Sequence, residues 1–131
     1  MATPNNKEHF SGGLAKVLAE QWQVDVRLKA VNSDDEGSAI SAHKLILASR
    51  SEVFKKMLES DELKTSAKQV ETITLSDMKQ EELEAFVEFI YSDGSMLSEK
   101  VKKHARSLYL AADKYEIPHL RDLCRTQLIF V

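Results

Sequence analysis

The side chains in this sequence with chemistry to offer are four histidines, one cysteine and a dense set of glutamates. The histidines are His9, His43, His104 and His119. No two stand at the three- to five-residue spacing that sets a pair of metal ligands on one helix face. His119 and Cys124 are five apart, but no second pair completes a zinc site. Glu81, Glu82, Glu84 and Glu88 interleave with Leu83, Phe86, Val87 and Ile90, so they read as the solvated face of an amphipathic helix rather than an acid–base pair. Cys124 falls on an apolar stripe, where a thiol is buried and inert. There is no G-x-S-x-G motif and no P-loop glycine pattern. Lys100, Lys102, Lys103 and Arg106 read as one outer helix face. No catalytic residue, cofactor or metal is expected.

The bulk numbers bound the chain further. At 131 residues and 43% hydrophobic content, the chain suits one domain with one core. A net charge of -3 leaves no electrostatic footprint for nucleic acid. A single cysteine allows no internal disulfide and suits a reducing compartment. The polar start lacks a signal-peptide core, and no apolar run approaches the ~20 residues of a membrane span. The expectation is a chain of the cytoplasm and/or nucleus.

The elements that must position these residues follow from periodicity. Residues 1–9 are polar and expected to be disordered, with the domain running from 10 to 131. Leu14, Val17, Leu18 and Trp22 mark one face of a helix from about Ser11 to Trp22, weakened at its start by Gly12 and Gly13. Val24, Val26, Leu28 and Ala30 then alternate with polar residues, as in a strand with one buried face. A polar turn over residues 32–38 leads to a returning strand at 39–42. Leu45, Ile46, Leu47 and Ala48 form a short apolar helix expected in the core. Ser49 and Glu52 have the spacing of a capping box opening the next helix, with Val53, Phe54, Met57 and Leu58 on it. Residues 60–69 read as a loop, and 70–75 as a third strand.

Ser76 or Asp77 is placed to cap the helix that carries the Leu83, Phe86, Val87, Ile90 stripe, and residues 91–95 stop it with turn chemistry. A long helix is predicted over 98–115. A last one begins near Pro118 and carries Leu120, Leu123, Cys124 and Leu128. The fold class is α+β: a small sheet of three or more strands inside five or six helices.

Four blocks then narrow the reading. Residues 24–28 (Val-Asp-Val-Arg-Leu) and 42–54, beginning Ala42-His43-Lys44, resemble the BTB/POZ signature of a D-V-x-L strand followed by AHK-x-x-LA-x-RS-x-x-F. Phe86 to Asp93 resembles that family's F-I-Y helix end. Leu110-Ala111-Ala112-Asp113-Lys114-Tyr115, with Leu120 and Cys124, resembles its L-A-A-D-K-Y segment. Together they cover about residues 24–128, in the family's order.

The resemblance implies helical hairpins around the sheet and a homodimer. Its interface would use Leu14, Val17, Leu18 and Trp22 on the first helix, with Asp25 and Lys44 near the groove. Ordinary packing, and a structural pair between Asp25 and Lys44, are the plainer alternatives. It also implies a substrate-specific adaptor for a cullin-3 ubiquitin ligase. Met57-Leu58-Glu59 matches the family's hydrophobic-x-Glu cullin motif, and Tyr91-Ser92-Asp93 falls at a second cullin contact. Met57 could instead be core, and Tyr91 could pack its ring and expose its hydroxyl.

The chain stops at residues 129–131, short of the further helical pair of such adaptors, and carries no kelch, MATH or zinc-finger sequence. The implied alternatives are a fragment or shortened product, or substrate contact through the BTB surface itself. A dimerising scaffold without cullin is the competing function.

Overall fold

In the computed structural model, the described residues are 6–30, 38–59, 71–75, 77–92, 94 and 97–129. The expected turn at 32–37, the loop at 60–69, and Ser76, Asp93 and Phe130 lie outside them. Strands β1 (Val26–Ala30), β2 (Ile40–Ala42) and β3 (Glu71–Leu75) form one sheet in the order β2-β1-β3. β1 pairs antiparallel with β2 through Arg27 and Ser41. It pairs parallel with β3, Leu28 opposite Ile73. A parallel pair requires a crossover. Two short helices, α2 (Lys44–Arg50) and α3 (Glu52–Leu58), lie within that connection. The alternation on β1 is as the sequence predicts, with Val26, Leu28 and Ala30 buried.

The other helices are α1 (Asn6–Ala19), α4 (Gln80–Ile90), α5 (Glu99–Lys103), α6 (Ala105–Lys114) and α7 (Pro118–Ile129). α1 starts at Asn6, five residues before the predicted start at Ser11, so residues 6–9, expected disordered, are helical. It ends with Gln21 in the left-handed region at φ 54°. The Trp22 N–H closes back on the Val17 carbonyl at 3.0 Å, and the Gln21 N–H on Leu18 at 3.1 Å. These are the two bonds of a Schellman stop. Glu116 ends α6 the same way at φ 54°, with Ile117 N–H on the Ala112 carbonyl at 2.8 Å.

Three local expectations are corrected. The cap of α3 is Ser51, not Ser49: the Ser51 hydroxyl accepts from the Phe54 N–H at 3.1 Å. Ser49 lies inside α2 and donates to the Ile46 carbonyl. α4 starts after Lys79, whose N–H is accepted by the Glu82 carboxylate at 2.9 Å, so Asp77 is not its cap. The long helix over 98–115 is two, divided at His104, whose N–H bonds to the Val101 carbonyl three residues back. That tighter closure ends α5 before α6 begins.

α4 is the centre of the core. Leu83, Phe86, Val87 and Ile90 are buried as the stripe requires, and Ala85 and Phe89 are buried as well. Beside it Phe54, Phe86 and Tyr115 form an aromatic cluster, with Phe54 and Tyr115 stacked at 4.8 Å. Ser51 also donates to the Tyr115 carbonyl, and the Tyr115 hydroxyl donates to Asp77 at 3.0 Å. Burial first, then the charge and acceptor of Asp77, push the Tyr115 phenol well above its ordinary range. On α7, Leu120 and Cys124 are buried, but Leu128, predicted on the same stripe, is 44% exposed.

Candidate functional site

The signature histidine, weighed in the sequence only as a metal ligand, is a structural pivot. His43 precedes α2, and its side chain is buried between α4 and the end of α1. The Tyr91 oxygen lies 2.8 Å from the His43 backbone nitrogen and 2.7 Å from Nδ1. His43 Nε2 lies 2.6 Å from the Trp22 carbonyl. For a neutral imidazole, one proton arrangement satisfies all three contacts. The backbone N–H donates to Tyr91, the Tyr91 hydroxyl donates to Nδ1, and Nε2–H donates to Trp22.

This arrangement corrects the expectation for Tyr91. Its side chain is 2% exposed and its hydroxyl is engaged, so it offers no free surface. Burial pushes its phenol up to about 12; the His43 N–H opposes that rise and the Asp25 charge adds to it. Its neighbour Ser92 donates to the Phe89 carbonyl and accepts from the Gly94 N–H, closing the turn after α4.

The expected dimer residues fall into two groups. Leu14, Val17 and Leu18 are half-buried on α1, with Leu14 and Leu18 packed on the core, whereas Trp22 is 60% exposed. Asp25 and Lys44 meet, but not as a salt bridge. The Asp25 carboxylate accepts from the Lys44 backbone N–H at 2.7 Å, at the first turn of α2. An anion there satisfies an unpaired helix donor and the helix dipole.

Leu45, expected in the core, is 80% exposed. The signal was in the sequence: four consecutive apolar residues on a helix sweep about 300°, so one of them had to face outward. Trp22 and Leu45 flank the His43 junction from α1 and α2, as exposed apolar side chains.

The proposed cullin motif ends α3. Met57 and Leu58 are half-buried and packed on the core, and Glu59 is exposed as the helix C-cap. Elsewhere Lys100 pairs with Glu84 at 3.3 Å, and His104 Nε2 lies 3.5 Å from the Glu81 carboxylate. His119 bonds to the Gly94 carbonyl, apart from the buried Cys124. Burial pushes the Cys124 thiol up to about 11. Among the described residues no group of three His, Cys, Asp or Glu side chains could hold a metal, and no helix is long and apolar enough to cross a membrane.

Comparison with known proteins agrees with this geometry. A family model described as BTB/POZ domain matches residues 15–130. The BTB/POZ domain-containing protein At5g48510 of Arabidopsis thaliana is 85% identical over 129 residues, which are 98% of this chain and 57% of that protein. A second Arabidopsis thaliana relative, At2g40440, is 74% identical over 98% of this chain and 78% of its own length. The chain thus spans between about half and four-fifths of these relatives. Among solved structures, the BTB domain of zebrafish PATZ1 matches with a TM-score of 0.67 at 18% identity, covering 100% of both chains.

Proposed function

The chain belongs to the BTB/POZ domain family, a protein–protein interaction fold, and from that premise we propose that it is the docking module of a substrate-specific adaptor for a cullin-3 ubiquitin ligase. The observation that carries the reading is the end of α3. There Met57-Leu58-Glu59 sets two half-buried apolar side chains beside an exposed carboxylate. A hydrophobic contact with a polar rim is the usual anatomy of a protein interface, and methionine adapts to a partner's shape. Tyr91 has no place in this contact surface. The module would act in the cytoplasm and/or nucleus, where its cysteine stays reduced.

A pull-down with the cullin-3 N-terminal region tests the reading. Wild type should be retained, and Met57→Asp with Glu59→Lys should abolish retention while leaving the circular dichroism spectrum intact. Retention of the double variant, or none by a folded wild type, rejects the adaptor role.

Self-association is the second reading, and Trp22 and Leu45 favour it. Two large apolar side chains, 60% and 80% exposed near one junction, are poor company for water and good anchors for a second copy. In light scattering, Trp22→Ser with Leu45→Ser should convert a dimer to monomer. An unchanged mass would place the interface elsewhere.

A further inference from the structure

Between α1, β2 and α4 the surface opens into a cavity of about 300 Å³. Its floor is Val87 and Ile40, and its α1 wall is Ala15, Leu18 and Ala19. The volume lies at the small end of the ~300–1,000 Å³ of ligand sites, enough for a few apolar side chains. The rim is anionic: Glu84 and Glu88, four residues apart on α4, both line it. Carboxylates at that spacing repel one another by roughly 0.2–0.5 kcal/mol. Lys100 pairs with Glu84, whereas Glu88 is exposed and makes no ion pair among the described residues. The cleft therefore offers an apolar floor and one uncompensated negative charge at its lip.

We propose that this cleft is a docking site for a segment of a partner protein in which aliphatic side chains adjoin arginine or lysine. The aliphatic residues enter against Val87 and Leu18. The cation settles on Glu88, the carboxylate that Lys100 leaves uncompensated. An acidic segment is refused by the Glu88 charge, so the charge supplies selectivity and the floor supplies affinity. The site is separate from the cullin motif, because Met57 and Glu59 do not line it, and from the exposed pair Trp22 and Leu45, but Leu18, an expected dimer residue, is part of its wall.

Fluorescence anisotropy on the whole chain tests this with three labelled peptides: two central leucines flanked by arginines, the same flanked by glutamates, and a serine version of the arginine peptide. The leucine–arginine peptide alone should bind, and more weakly as salt rises. Ala15→Phe, filling the cleft from α1, and Glu88→Lys, reversing the lip, should each weaken binding by at least about tenfold, or 1.4 kcal/mol. Both positions are exposed, so both variants should keep the wild-type melting behaviour. Equal binding of the glutamate or serine peptide, survival of binding in both variants, or no binding at all would overturn the proposal. If Ala15→Phe instead turns a wild-type dimer into a monomer, the occupant is a second copy, and the partner-segment reading also fails. The cullin pull-down should be unaffected by either variant, so the two ideas fail separately.

Discussion

Tyr91 and His43, forty-eight residues apart, are joined twice: the phenol oxygen accepts the histidine's backbone N–H at 2.8 Å and lies within hydrogen-bond distance of Nδ1 at 2.7 Å. Through Nε2 the histidine then holds the carbonyl of Trp22, just beyond the end of α1. The end of α4, the start of α2 and the end of α1 are thereby fixed to one imidazole. The surface carrying Trp22 and Leu45 is positioned by this junction.

Tyr91→Phe keeps the ring and removes the hydroxyl, leaving the buried His43 N–H and Nδ1 without their partner. An unsatisfied buried group costs about 1–3 kcal/mol. Urea unfolding should show a loss in that range with an unchanged slope. A loss too small to measure would mean the junction holds without the phenol. The phenol's value of about 12 means that it stays protonated across ordinary handling pH.

Ser51→Ala and Ser49→Ala should separate cleanly. The first removes the α3 cap and the bond to Tyr115, and caps alone are worth about 0.5–2 kcal/mol. The second removes one exposed bond within α2 and should stay within about 0.5 kcal/mol of wild type. Thermal melts of the pair would reveal a reversed order if Ser49 were the cap.

Cys124 should behave as core. It is 0% exposed, and burial lifts its thiol to about 11, so little thiolate exists near neutral pH. Iodoacetamide at pH 8 should leave the folded protein unlabelled and label it fully in denaturant, as read by intact mass. Rapid labelling without denaturant would contradict the packing of α7.

Glu82 should contribute to the acid limb of stability. Burial raises its carboxyl pKa, but the Lys79 N–H, the Ser107 hydroxyl and the nearby His104 and Lys79 charges together bring it below the ordinary 4.5. A depressed folded value gives stability that is fully present above the unfolded value and lost as pH falls through the folded one. Glu82→Gln should therefore be less stable than wild type at pH 7, with the difference shrinking below pH 4.5. A constant difference down to strong acid would show that the charge plays no part.

The α+β class, the buried faces of β1 and α4, and the proline start of α7 were legible because each follows from a local period: two residues per strand repeat, 3.6 per helical turn. The four ordered blocks made the family readable for the same reason, since they place those periods in a fixed order. Local pattern does not decide among neighbours that share it. Ser49 and Ser51 have equal capping chemistry, and the chain's path past Phe54 and Tyr115 selects Ser51. Leu45 and Leu47 are equally apolar, and the rotation of α2 against α3 and α4 buries only Leu47. His43 and Tyr91 read as signature letters, and their bond exists only once α4 lies across the sheet. Sequence determined which residues are apolar, which are polar and where the chain turns. Tertiary structure decided which polar groups would be desolvated, because a buried donor must find its acceptor wherever packing brings one near.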